Sequence, residues 1–172
     1  MRCKIIYLLA IFGLLAISCN EMDDGNHVDP ITLHEKITGE WGLMNLKMVD
    51  ELAKANKLEP FEQTLSTLFN YDNFRIKFNV DGNNNPTSYQ VTGDVPPLFA
   101  LNGYWKLSSD FQTTTGEAVR IYLYSDAQKT IKTDELRIAA VPGSTGEMEL
   151  QLVRSSGGTP YVSYSFKLNA IN

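Results

Sequence analysis

From residue 39 to residue 169 the chain repeatedly alternates apolar and polar positions with a period of two. Phe74, Ile76, Phe78 and Val80 alternate with Arg75, Lys77 and Asn79, which predicts a strand with one greasy and one wet face. Val119, Ile121 and Leu123 alternate with Arg120, Tyr122 and Tyr124; Met148, Leu150 and Leu152 with Glu149 and Gln151; Val162, Tyr164, Phe166 and Leu168 with Tyr161, Ser163, Ser165 and Lys167. Leu136, Ile138 and Ala140 repeat the pattern less cleanly, and strands around Trp41, Tyr89 and Trp105 bring the total to about eight. Turn signals separate them: Asp81-Gly82, where the glycine is expected to supply a positive φ, Pro142-Gly143-Ser144, and Ser155-Ser156-Gly157-Gly158. One-sided strands in hairpin order predict an all-β fold, an eight-stranded antiparallel up-and-down meander closed into a barrel.

Residues 50–69 break the pattern. Phe61, Leu65, Leu68 and Phe69 are spaced i, i+4, i+7, i+8, and Pro60 suits a first helical turn, so a helix is predicted there. A shorter helical segment, "DELAKAN", precedes it with Asp50 as N-cap. This helical insertion between the first two strands is expected to cover one barrel end, because its apolar face must be buried.

The N-terminus has a different character. Arg2 and Lys4 precede a 13-residue apolar run, Ile5 to Ile17, which is short for a membrane span and right for the core of an export signal. The run ends in Leu15-Ala16-Ile17-Ser18-Cys19, which resembles the lipobox of bacterial lipoproteins; the resemblance implies lipidation of Cys19 as the mature N-terminus. Residues 1–18 are then a signal peptide, 19–33 a lipidated cysteine and flexible tether, and 34–172 the barrel domain. With Cys3 lost in the signal and Cys19 acylated, no thiol is left for a disulfide. The acidic group Glu21, Asp23 and Asp24 resembles the export signal that carries Bacteroidetes lipoproteins to the cell surface, and reads equally well as a solvated linker. An outer-membrane lipoprotein is expected, facing either side of that membrane.

Composition bounds the chemistry. A hydrophobic fraction of 43% and an aromatic fraction of 10% describe a folding chain. Loss of Arg2 and Lys4 leaves 13 basic residues against 20 acidic ones, a net charge of −7 that repels nucleic acid. The two histidines, His27 and His34, lie in or beside the tether, so a nucleophile–His–carboxylate triad inside the barrel is not expected. No His-Glu-x-x-His, Cys/His cluster or phosphate-binding glycine loop is present, and no metal or cofactor is expected. Asp81-Gly82-Asn83-Asn84-Asn85 lacks the order of a calcium loop and reads as a hairpin turn. Asp134, Glu135, Glu147 and Glu149 are the only carboxylates worth weighing as a glycosidase pair, and their positions at strand starts or on polar faces read as solvated surface.

Two short stretches echo each other: Gly39-Glu40-Trp41-Gly42-Leu43 and Gly103-Tyr104-Trp105-Lys106-Leu107. Tryptophan and leucine two apart on a strand share a face, and the glycine permits a kink or close backbone approach. Together with "FRIKFNVDG" and the proline-rich "DVPPLFALN", this order of motifs resembles the lipocalin-like domains of unknown function of Bacteroidetes lipoproteins, over roughly residues 37 to 169. The resemblance implies that Gly39 and Trp41 form a structural plug at one barrel end. In lipocalins that tryptophan packs on a basic residue from late in the chain, which makes Arg154 and Lys167 the candidates here. Pro96 and Pro97 stiffen a loop carrying Leu98 and Phe99, which either marks a binding mouth or folds over the barrel end. With Tyr122 and Tyr124 nearby in strand register, the candidate ligand residues are Tyr89, Leu98, Phe99, Tyr104 and Trp105. The function expected is non-enzymatic binding of a small apolar molecule or a glycan at the cell envelope. The alternatives are an accessory lipoprotein docking an unidentified protein partner and, last, a glycosidase.

Overall fold

The two-residue alternation becomes a single sheet wrapped on itself in a computed structural model that describes residues 30–94 and 98–171. The strands are β1 (Gly39–Asp50), β2 (Glu62–Thr64), β3 (Arg75–Val80), β4 (Pro86–Thr92), β5 (Asn102–Leu107), β6 (Arg120–Tyr124), β7 (Lys132–Ala140), β8 (Glu147–Ser156) and β9 (Thr159–Ile171). Two short helices flank β1: α1 (Leu33–Ile37) before it and α2 (Glu51–Ala55) after it. From β3 to β9 each strand pairs antiparallel with the next, and β1 pairs with both β3 and β9. That last pairing, Glu40 to Asp50 against Ile171 to Val162, closes an eight-stranded barrel in which β9 is paired on both edges and β1 keeps a free edge only beyond Gly42, where β3 leaves it. The short β2 is an addition, taking the second edge of β1 at Lys47 to Val49 above the point where β3 leaves it.

Strand direction sorts the connections to two ends. The lower end carries α1, the β3–β4 turn, the β5–β6 loop and the β7–β8 turn. The upper end carries the α2–β2 excursion, the β4–β5 and β6–β7 loops, and the Gly157-Gly158 hairpin, whose two residues both take positive φ as a two-residue turn requires.

The alternating apolar residues point inward. Trp41, Leu46, Phe74, Ile76, Phe78, Tyr89, Trp105, Ile121, Leu123, Leu136, Leu150 and Phe166 are all buried in one contiguous core. Burying a side chain of this size stabilises by roughly 1.5–3 kcal/mol, which is how a chain without a described disulfide holds its barrel.

Three expectations are corrected. The helix over Phe61 to Phe69 does not form. Only α2 is helical, capped by Asp50, whose carboxylate accepts from the Leu52 and Ala53 amides. Glu62–Thr64 becomes β2 instead, followed by a single 3₁₀ turn at Leu65–Thr67, because β1 outruns β3 and leaves backbone groups that the inserted segment pairs. Leu68 and Phe69, expected on the buried helical face, are more than half exposed. In the β3–β4 turn the left-handed residue is Asn84 (φ 61°), not Gly82, and the Asp81 carboxylate holds the turn by accepting from the amides of Asn83 and Asn85. These two bonds keep the Asp81 carboxyl below the usual carboxylate range, the Asn85 amide contributing most.

At the N-terminal boundary, residues 31–33 are not wholly tether. Thr32 and Glu35 form a reciprocal capping box, and Leu33 and Ile37 are buried, so α1 belongs to the barrel's core. The expected signal peptide, Cys19, most of the tether with Glu21, Asp23, Asp24 and His27, and the loop prolines Pro96 and Pro97 lie outside the described residues.

Candidate functional site

The five candidate ligand residues and the two tryptophan motifs are distributed over three places. Inside the lower half, Trp41 is buried and its indole donates to the Ile37 carbonyl at 2.7 Å. Trp105 is fully buried, donates to the Asn79 carbonyl at 2.8 Å, and packs on Phe78 with ring centroids 5.1 Å apart. Both indoles thus have their one polar group satisfied by main chain. Neither late basic residue reaches Trp41. Trp41 lies opposite Ala170 on β9 and Arg154 opposite Val162, eight residues or about 26 Å along the strand. Lys167 is exposed and pairs with Glu147. The plug is completed instead by α1.

The upper mouth is closed by the β4–β5 loop. Leu98 and Phe99 are half-buried against the core, and Phe99 meets Phe166 edge-on at 5.9 Å. The loop is pinned by polar groups as well as by grease. Tyr89 Oη donates to the Ala100 carbonyl, the Val91 amide donates to the Leu101 carbonyl, and the Arg154 guanidinium donates to the Leu98 carbonyl while pairing with Asp134. Asp134 and Arg154 share the strand parity of the buried Leu136 and Leu152, which turns both toward the mouth; Asp134 is only 12% exposed. Burial, and then the Asp134 charge, push the Tyr89 phenol up to about 12. The expectation that Asp134 is solvated surface is therefore overturned: it neutralises an arginine that a barrel mouth would otherwise leave without a counter-charge.

The third place is the outer face. There Tyr104 borders a shallow groove of about 470 Å³ with Asn79, Ser88, Gln90, Asn102 and Ser125. The groove exists because β4 and β5 are paired over only three positions, Ser88 to Gln90 against Tyr104 to Asn102. Its floor approaches closely at Gly103, where a Cβ would stand 2.3 Å from the Tyr124 carbonyl oxygen. The lining is three side-chain amides, two serine hydroxyls and the Tyr104 ring, with Tyr89 and Gly103 at the floor and the Asn79 amide donating to Ser88 Oγ at 3.1 Å. Such a set can donate to and accept from hydroxyl groups and stack on an apolar ring face. Tyr104 is the only one of the five candidates that is both outward and half-exposed; Tyr89 reaches the groove from inside, and Leu98, Phe99 and Trp105 serve the interior. The amide residues were missed in the sequence, where Asn79 read only as the wet side of an alternation and Gln90 and Asn102 carried no reading at all.

The other three carboxylates weighed as a glycosidase pair have partners. Glu135 pairs with Arg120 and Lys132, Glu147 with Lys167, and Glu149 accepts from Ser165. The Leu33 amide docks α1 on the β5–β6 loop by donating to the Asp110 carbonyl at 2.8 Å, with His34 Nδ1 3.5 Å from the Asp110 carboxylate. Among the described residues no group of three or more His, Cys, Asp and Glu side chains converges as a metal site.

A closed eight-stranded antiparallel barrel, with a buried tryptophan opening its first strand and a helix packed at that end, defines a lipocalin-like barrel. The family described as a domain of unknown function, DUF5004, matches residues 17–169, and the chain belongs to it. No curated protein and no solved structure is significantly similar.

Proposed function

We propose that this protein is a lipid-anchored, non-enzymatic binding protein of the cell envelope whose ligand is a glycan taken in the outer groove on β4, β5 and β6. The groove lining carries the reading: Asn79, Ser88, Gln90, Asn102 and Ser125 supply hydrogen-bonding groups matched to sugar hydroxyls, and Tyr104 supplies a ring for stacking. Placing the ligand outside is consistent with an interior occupied by Trp105, Phe74, Phe78 and Phe166. The same lining disfavours a small apolar ligand there, since buried amides would lose water without gaining partners. The apolar loop patch that docking of a protein partner would use is spent on the core through Leu98 and Phe99.

Anchoring rests on the Leu-Ala-Ile-Ser-Cys19 run, and several acyl chains at about 0.8 kcal/mol per buried methylene give a stable hold. Cys19→Ala should abolish incorporation of labelled palmitate, and globomycin should block precursor processing; retained labelling would refute the anchor. For the groove, calorimetry of the full chain in detergent against a panel of oligosaccharides should find binders. Tyr104→Ala should weaken them about tenfold, the loss of roughly 1.4 kcal/mol of stacking. Binding unchanged by Tyr104→Ala would place the ligand elsewhere.

A further inference from the structure

Resting on the glycan reading, we infer that the outer groove selects an anionic saccharide and that Lys106 and Lys129 recognise its charge. Neither lysine lines the groove itself; each lies near residues that do. Lys106 follows Tyr104 by two on β5 and so shares its outer face, and its Nζ lies 5.5 Å from the centre of the Tyr124 ring. Tyr124 is the direct cross-strand partner of Tyr104 and precedes Ser125, a groove residue, so this ammonium leans toward the groove. Lys129 arrives from the β6–β7 loop with a left-handed backbone (φ 56°), and its Nζ donates to the Pro86 carbonyl, two residues before the groove's Ser88.

The pairing of these two lysines is unusual in a chain with 20 acidic and 15 basic residues. On the neighbouring outer strands Arg120 and Lys132 share Glu135, while Lys77, opposite the groove's Gln90, makes no ion pair among the described residues. Among the described residues Lys106 and Lys129 make no ion pair within 4 Å, and Asp81, whose charge acts on Lys129, is committed to the amides of its own turn. Burial first, and then the Lys106 charge, hold the Lys129 ammonium below its usual range. Continuing the β4–β5 register by two positions puts Pro86, and with it the Lys129 ammonium, opposite Lys106, and two like charges on one patch cost free energy that an anion placed between them returns. The amides and hydroxyls fix the sugar ring, Tyr104 stacks on it, and the ammonium groups take a carboxylate or sulfate at its edge.

The test uses the full chain in detergent, titrated calorimetrically with four probes: maltohexaose, an unsulfated chondroitin hexasaccharide, its sulfated form, and penta-glutamate. The anionic hexasaccharides should bind at least tenfold more tightly than maltohexaose. Lys106→Gln and Lys129→Gln should each cost about two- to fivefold on the anionic probes, as expected of partly exposed pairs, and leave maltohexaose unchanged. Tyr104→Ala should weaken every saccharide. Binding of both hexasaccharides supports carboxylate recognition, and binding of the sulfated form alone supports sulfate recognition. Equal affinity for maltohexaose, or lysine variants without effect, would overturn the charge selection and leave the glycan reading standing. Penta-glutamate binding as tightly as the sugars would overturn it too, as general attraction. If no saccharide binds at all, the groove reading itself fails, and this inference with it.

Discussion

Replacing Gly103 by alanine puts a Cβ 2.3 Å from the Tyr124 carbonyl oxygen and 2.9 Å from Tyr89 Cε1. The first contact is with backbone, so no side-chain rotation relieves it; β5 and β6 must part by about 1.1 Å to restore an ordinary contact of 3.4 Å. Overpacking of this kind costs about 1–3 kcal/mol, or a fall in Tm of roughly 3–10 °C for a domain of this size. Gly39, the matching glycine of the other tryptophan motif, has nothing within 4 Å of its Cβ position but a φ of +121°. Alanine there pays only for conformation, about 1–2 kcal/mol. The two positions are separated by size rather than by the alanine values. Urea and thermal unfolding of an Ala, Val, Leu series should show losses that grow with volume at Gly103 and stay level from Ala to Leu at Gly39. A Gly103→Ala variant within 0.5 kcal/mol of the parent, or the same size dependence at both sites, would refute this division of roles.

Asp134→Asn should destabilise by about 1–2 kcal/mol in urea, less than a fully buried pair because Arg154 is 35% exposed, and Arg154→Met added to it should recover part of the loss. No recovery in the double variant would mean that the pair acts through something other than charge balance. Tyr89 binds its proton more tightly folded, at about 12, than the ordinary 10, so its contribution is whole below pH 10 and is lost as pH rises through the folded value. The urea midpoint should therefore fall between pH 10 and 12, and Tyr89→Phe should flatten that alkaline slope; identical slopes would sink the assignment.

The barrel was legible because one-sided strands repeat the same signal many times. Phe74 to Val80, Met148 to Leu152 and Val162 to Leu168 each announce a strand and its inner face, and hairpin order leaves little choice of topology. The segment after β1 was misread because Phe61, Leu65, Leu68 and Phe69 have helical spacing, while the unpaired edge of β1 that recruits Glu62–Thr64 is a property of the closed sheet. The capping box Thr32-x-x-Glu35 was visible and would have placed α1. The Asp134–Arg154 pair joins neighbours in strand parity only once the β7–β8 register is known, with Leu136 opposite Leu152. The groove is harder still, since it depends on β4 and β5 parting after three pairs.

The two tryptophan motifs show where function departs from architecture. Positions one, three and five of each, Gly39, Trp41 and Leu43 or Gly103, Trp105 and Leu107, turn toward the core, and both tryptophans are buried with their indoles bonded to main-chain carbonyls. These positions repeat because a barrel wall makes the same demands twice. The even positions face outward and differ: Glu40 and Gly42 on β1, Tyr104 and Lys106 on β5. With glycine at position 42, where a Cβ would meet the end of the exposed Ile171 side chain, β1 offers no ring and no cation there. On β5 the outward pair sets an aromatic face and an ammonium beside a hydrogen-bonding groove, while Gly103 beneath them fixes how closely that strand lies on β6. Gly103→Ala should therefore weaken glycan binding as well as stability, whereas Gly39→Ala, matched for stability loss, should leave it intact. Equal losses of binding in the two variants would show that the groove reports overall stability and not the local approach of β5 to β6.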